Sequence, residues 1–261
     1  MPGEFQGKVA VVTGGSRGIG RAIAATFARQ GAQTVIASIS ANNLQAAADA
    51  IGNAGLRPAI FAGDLRTLAT CEALFRQVEK QFGRCEILVH SAGATRAGNL
   101  LDLPDEAWGD GFALKFMSCV RLSRLFWPML RAAKGHLVGI IGGAARTPDA
   151  GFAVGGSVNA AMANFLKGLS SLGKREGVNV NAIHPGLTET DRVTDIFRAR
   201  AAAEAIGVEQ VVANAIAAQG VSRIGKPEDV AELVLFLCSE RARHIQGTAI
   251  AVDGGGTPGF Y

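Results

Sequence analysis

Short runs of consecutive apolar residues alternate, from one end of the chain to the other, with stretches in which apolar residues recur every third or fourth position. The short runs read as strands over Lys8 to Thr13, Gln33 to Ser38, Arg57 to Ala62, Ile87 to Ser91, His136 to Ile141, Asn179 to His184 and Ala249 to Val252. Several are nearly continuous Val, Ile, Leu and Ala, the composition of strands covered on both faces. Between the first two, Ile19, Ile23 and Phe27 share one helix face and Gly31 stops the helix; Leu74, Val78, Phe82 and Gly83 repeat the device. Longer helices are expected at about 105 to 133 and 156 to 175, joined by the glycine-rich stretch 142 to 156. Strands alternating with helices predict an α/β fold with a parallel sheet of about seven strands and helices on both faces. The region from Leu187 to Ser222 is helical by composition and interrupts the last steps of this alternation, so it reads as a lid or substrate loop.

The length of 261 residues fits one domain, with no low-complexity linker and no repeat of fixed period. Hydrophobic residues at 48% and charged residues at 18% describe a globular chain rather than a disordered one. The net charge of +4 comes from scattered Lys and Arg, without the basic stripe that follows a phosphate backbone, so no nucleic-acid partner is expected. Cys71, Cys85, Cys119 and Cys238 are far apart with no CxxC pair, which suggests neither a metal site nor a disulfide framework. Residues 1–8 contain no apolar signal core, and no run approaches the ~20 residues that span a bilayer; a soluble, cytoplasmic protein with no membrane partner is the expectation.

The first strand runs into Thr13-Gly14-Gly15-Ser16-Arg17-Gly18-Ile19-Gly20. A glycine-rich turn between strand and helix lets the backbone approach a pyrophosphate, and the helix end points N–H groups at the negative charge. Further along stand Asp64-Leu65 after the third strand, His90-Ser91-Ala92-Gly93 after the fourth and Pro185-Gly186 after the sixth. The tail then reads Arg223-x-Gly225-x-Pro227-Glu228-Asp229-Val230-Ala231, Gly247 and Val252-Asp253-Gly254-Gly255. This ordered set resembles the classical short-chain dehydrogenase/reductase family over essentially the whole chain. The resemblance implies a Rossmann-type doubly wound sheet that binds NAD(H) or NADP(H), commonly in a homotetramer, with a homodimer as the smaller alternative. It implies that Asp64 accepts from the adenine amino group, that Gly93 lines the adenosine ribose, and that Thr188 and Thr190 meet the nicotinamide carboxamide. Family members specific for NAD carry an acid at the end of the second strand, where this chain has Ser38 followed by Ile39. With no carboxylate to repel a 2′-phosphate and Arg17 placed to pair with one, NADP(H) is favoured over NAD(H), although the second basic residue often found beside Ser38 is missing.

The family's catalytic groups are a Tyr acid-base, a Lys four residues on, a Ser thirteen before the Tyr and an Asn in the preceding long helix. Aligned by their flanks, these positions hold Gly155, Asn159, Gly142 and Lys115. The only tyrosine is Tyr261, the last residue. A glycine supplies no proton, and losing a general acid typically costs about 10²–10⁴ in rate. Gly142 offers a developing oxyanion only its backbone N–H, and Asn159 can still bond a ribose hydroxyl. Three readings stay open. The protein is an oxidoreductase acting on a small carbonyl or alcohol with a relocated acid, for which Lys115 is the first candidate, ahead of His184, His90 and the terminal Tyr261. Alternatively it binds NADP(H) without turnover as a sensor or regulatory partner, or it runs a non-redox lyase or isomerase step. Arg96, Arg146, Arg192, Arg198 and Arg200 fall around the expected mouth, where they could bind an anionic substrate. Apolar residues on more than one side of the helices carrying Phe112, Phe116, Leu122, Leu125, Phe126 and Leu130, and Met162, Phe165, Leu166 and Leu169, suggest helix–helix subunit contacts.

Overall fold

In the computed structural model, which describes residues 3–257, the apolar runs form one sheet of seven strands, all parallel. They are β1 (Val9–Thr13), β2 (Gln33–Ser38), β3 (Ala59–Ala62), β4 (Ile87–His90), β5 (His136–Ile140), β6 (Asn179–Pro185) and β7 (Ala249–Val252), in the order β3-β2-β1-β4-β5-β6-β7. The order reverses between β1 and β4, which opens a crevice at the carboxyl ends of the strands. The strand boundaries expected from sequence hold to within two residues. β3 starts at Ala59 rather than Arg57, because Pro58 has no N–H to give a ladder.

Helices cover both faces. On one, α1 (Gly18–Arg29), α2 (Ala41–Gly52) and α9 (Pro227–Leu237) pack Ile23, Phe27, Leu44, Val234 and Leu237 against β1, β2 and β4. On the other, α3 (Leu68–Phe82), α5 (Ser118–Ala132) and α6 (Ala153–Glu176) contribute Leu74, Val78, Leu122, Phe126, Met162 and Leu166. Each core side chain of this size contributes roughly 1.5–3 kcal/mol by leaving water. The first long helix expected from sequence is one continuous path with a change of winding. It runs as α4 (Asp105–Gly111), a π-helical segment (Phe112–Met117) and then α5, and the Ser118 hydroxyl donates to the Leu114 carbonyl oxygen where the winding reverts. The second, α6, begins three residues earlier than expected and stops at Gly177, whose φ of +79° suits glycine.

The stretch expected to form a lid is helical, as α7 (Asp191–Glu204) and α8 (Val208–Gln219), bent at 107° to each other. It carries its own small cluster around Phe197, Ala201 and Val211. Thr190 caps α7 by accepting from the Val193 N–H at 3.4 Å, and Thr188 pairs with Gly225 in an isolated bridge that ties the lid's entry to its exit. Among the described residues, no single helix is long and apolar enough to cross a membrane.

Candidate active site and dinucleotide cleft

A cleft of about 510 Å³ lies at the point where the strand order reverses. Its floor is the turn between β1 and α1, and only glycine permits its geometry. Gly14 has φ +70°, and a Cβ there would stand 2.8 Å from the Ser91 carbonyl oxygen; a Cβ on Gly20 would overlap the carbonyl of Gly14. α1 begins with no side chain capping it at Arg17 and no acid in its first turn, so its leading N–H groups keep their bonding capacity for an anion in the cleft. Thr13, fully buried at the end of β1, holds the opposite wall. Its Oγ1 accepts from the Ser91 and Ala92 N–H groups, both at 3.1 Å, and donates to the Val89 carbonyl oxygen at 3.4 Å. This fixes the Ser91-Ala92-Gly93 turn beside the glycine loop.

Gly14, Ser16, Arg17, Gly18, Ile19, Gly20, Ser38, Asp64, Leu65, Ser91, Ala92, Gly93, Lys115 and Thr190, all expected site residues, line this one cleft. At the end of β2, the Ser16 hydroxyl donates to Ser38 Oγ at 3.0 Å, with exposed Arg17 alongside and no carboxylate at the strand end. Asp64 and Leu65 follow β3. The Asp64 carboxylate already holds the Arg66 guanidinium at 3.1 Å, and Arg66, which the sequence reading overlooked, adds a second cation to the wall. The glycine approach, the uncapped helix end and this lining fit a dinucleotide.

Pro185, Gly186, Thr188 and Asn159 stand behind the wall rather than on it. Pro185 ends β6, and Thr188, almost fully buried, donates its hydroxyl proton to the Gly186 carbonyl oxygen at 3.0 Å. The hydroxyl proton is thus spent within the turn, and the oxygen keeps its acceptor capacity for an N–H donor such as a carboxamide. Asn159 is buried too; its Oδ1 accepts from Lys115 Nζ at 2.6 Å and from the Gly142 N–H at 3.0 Å. That second bond corrects the role expected of Gly142, whose N–H is turned to Asn159 and not offered to an oxyanion. The Gly142 carbonyl oxygen in turn lies 3.2 Å from His184 Nδ1.

Lys115 sits on the π-helical segment, half-buried, with its stem folded over Gly93: a Cβ there would meet Lys115 Cδ at 2.9 Å. Burial, and then the nearby Arg192 guanidinium, push the ammonium down to about 8. Neither histidine joins it on the wall. His90 is buried with Nε2 3.0 Å from Ser123 Oγ, and burial pushes its pKa down to about 3; His184 is buried and pushed down by the same cause. The space beside Gly155 is filled: a Cβ there would overlap the ring of Phe152, a residue the sequence gave no reason to single out. Tyr261 lies outside the described residues.

Of the arginines expected at the mouth, Arg192 lines the cleft and donates to the Thr95 carbonyl oxygen at 2.9 Å. Arg198 and Arg200 are instead spent along α7 on Asp195 at 3.4 Å and Glu204 at 2.6 Å, Arg146 borders a separate hollow beside β6 and β7, and Arg96 is exposed outside the cleft lining.

The same layout recurs in known proteins. The family model described as Enoyl-(Acyl carrier protein) reductase matches residues 14–257. The 3-oxoacyl-[acyl-carrier-protein] reductase FabG of Escherichia coli is 32% identical over 253 residues, 97% of this chain and 98% of its own. The 2,3-dihydro-2,3-dihydroxybenzoate dehydrogenase of Bacillus subtilis is 31% identical over 260 residues, 98% of each. Among solved structures, L-sorbose reductase from Gluconobacter frateurii, complexed with NADPH and L-sorbose, superposes over the whole of both chains with a TM-score of 0.95 at 31% identity. With the motifs, the sheet order and the cleft in agreement, the chain belongs to the short-chain dehydrogenase/reductase family of NAD(P)-dependent oxidoreductases.

Proposed function

We propose that the protein is an NADP(H)-dependent oxidoreductase that reduces a small carbonyl compound, or oxidises the matching alcohol, with Lys115 as the proton donor in place of the family tyrosine. The observation that carries this is Lys115 itself: a half-buried ammonium on the cleft wall beside Gly93, lowered to about 8. A donor close to neutral pKa gives up its proton far more readily than an ordinary lysine and is still mostly protonated at neutral pH. NADPH, held by the glycine turn and the Ser38 end of the cleft, would supply the hydride for a ketone carbon. Lys115 gives its Nζ proton to the carbonyl oxygen as the double bond becomes single, so ketone, hydride and proton balance to the alcohol, and Nζ regains a proton from water. Asn159 Oδ1, at 2.6 Å, holds the ammonium in position.

NADP(H) is favoured over NAD(H) because the 2′-phosphate end has Arg17 and Ser38 and no acid at the end of β2. Solved relatives point the same way: the sorbose reductase holds NADPH, and a short-chain dehydrogenase from Burkholderia cenocepacia J2315 holds NADP at 32% identity over 97% of this chain with a TM-score of 0.84.

One observation favours a second reading, binding without turnover. The Phe152 ring fills the side-chain space at Gly155, and the Gly142 N–H is spent on Asn159, so no hydroxyl acid or backbone oxyanion donor remains at these positions. Titration with NADPH and NADH, followed by a screen of ketones, enones and alcohols at 340 nm, separates the two. Tight NADPH binding with turnover that Lys115→Ala abolishes supports the reductase. Turnover retained in Lys115→Ala removes Lys115 from the chemistry, and tight binding with no turnover anywhere favours the sensor.

A further inference from the structure

Along the cleft wall two cations, half-buried Lys115 and exposed Arg192, come close enough for the guanidinium to act on the ammonium, with no carboxylate paired to either among the described residues. Lys115 bonds only the neutral amide oxygen of Asn159, and Arg192 bonds the neutral carbonyl oxygen of Thr95; among the described residues neither forms an ion pair. The other cations of the cleft are differently placed. Arg66 is neutralised by Asp64 and Asp110, and Arg17 stands on the glycine turn at the Ser38 end. Asp191, in the first turn of α7, also lines the cleft, yet no carboxylate acts on the Lys115 ammonium against the push of Arg192. Thr95 packs beside Gly111, where a Cβ would meet its Cγ2 at 3.2 Å, so the Arg192 guanidinium is moored to the segment leading into the π-helical turns, while Thr190, two residues earlier, packs on Gly18 of the glycine turn. Two like charges, one half-buried and one at the exposed edge of the same cleft, repel each other, and an anion between them relieves it. A guanidinium with one N–H on a carbonyl keeps its remaining donors for a carboxylate, which it binds through two parallel bonds.

We propose that the substrate is an oxo acid, its carboxylate held by Arg192 at the first turn of the α7–α8 lid and its ketone oxygen turned to Lys115. The ketone half of this statement rests on the reductase reading, whereas the carboxylate half is tested by binding alone.

The experiment is calorimetric titration of the NADPH-loaded protein with malonate, with dimethyl malonate as the uncharged counterpart, in the wild type and in Arg192→Gln. Saturable malonate binding, no diester binding, and malonate affinity weakened roughly tenfold or more in Arg192→Gln are expected, since a charge-assisted hydrogen bond of about 1.5–3 kcal/mol is lost. NADPH affinity should stay within about twofold in the variant, on the same scale. Absence of malonate binding, or equal malonate affinity in both proteins, overturns the proposal. Equal loss of NADPH and NADH affinity in Arg192→Gln, with malonate binding intact, overturns it as well and assigns the guanidinium to the cofactor pyrophosphate. If neither dinucleotide binds, it is the reductase reading that fails; malonate titrated into the protein alone must then still bind in an Arg192-dependent way, or the carboxylate site falls too.

Discussion

Lys115 carries the largest consequence of any single side chain. Its folded pKa of about 8 lies below its ordinary 10.5, so between those values the unfolded chain binds more protons than the folded one and stability rises with pH. Burying the charge costs most below pH 8, and the cost fades as the ammonium loses its proton. In urea unfolding from pH 7 to 10, the wild type should gain on Lys115→Met through this window; a constant difference would mean that the ammonium is not desolvated. If Lys115 is the acid, kcat/KM for reduction should be level below about pH 8 and fall about tenfold per unit above it. The positions the family fills with Ser and Tyr have been closed by their neighbours. A Cβ at Gly142 would stand 2.7 Å from Asn159 Nδ2, and one at Gly155 would overlap the Phe152 ring. Gly155→Tyr alone is therefore expected to cost about 1–3 kcal/mol through overpacking, and Phe152→Ala in the same chain should recover most of it in thermal melts; additive losses would show that the ring is not the obstacle. The absence of the tyrosine could be read from the sequence. What replaced it could not, because Phe152 reaches Gly155 only through the path of the loop before α6.

At the scale of elements, the strands were legible because each is an apolar run covered on both faces, and the glycine turn because its spacing has one geometric purpose. The π-helical segment was not. Its residues share the apolar periodicity of α5, and nothing in that periodicity marks the wider winding that places Leu114 and Lys115 on the cleft wall. Which arginines face the cleft was equally hidden: Arg192, Arg198 and Arg200 lie on one helix, and only their neighbours, Thr95 for the first and acids of α7 for the others, decide where each guanidinium goes. The turn from β1 to α1 supports a sharper test. If Arg17 binds a 2′-phosphate, Arg17→Ala should weaken NADPH roughly tenfold or more, the loss of a bond to a charged group, and leave NADH within about twofold. Fluorescence titration with both dinucleotides decides it: equal losses would make Arg17 a general phosphate contact and return the choice of cofactor to Ser38 and its surroundings.

For the whole molecule, the open question is what meets the outer side of α5 and α6. The structure resolves the two apolar sides seen in the sequence into a fully buried stripe, Cys119, Leu122, Phe126 and Leu130, flanked by half-buried Leu125 and Met129 on one side and by half-buried Trp127 on the other. Phe112, Phe116 and Phe165 form a ladder of edge-on rings between the π-helical segment and α6, with centroids 6.1 and 6.0 Å apart. Rings of this size bury 150–250 Å² each when fully enclosed, and here all three remain part-covered. This outer side stabilises an oligomer if the same helices of a second copy complete its cover. Light scattering after gel filtration should accordingly give a mass near two or four times 27.0 kDa. Phe165→Glu should reduce that mass with little change in helical circular dichroism, because a carboxylate would be buried at a contact between copies but only half-buried in a lone chain. A monomeric wild type would refute assembly through this face; an assembled wild type whose mass is unchanged in Phe165→Glu would move the contact elsewhere, with the exposed edge of β7 the next surface to test.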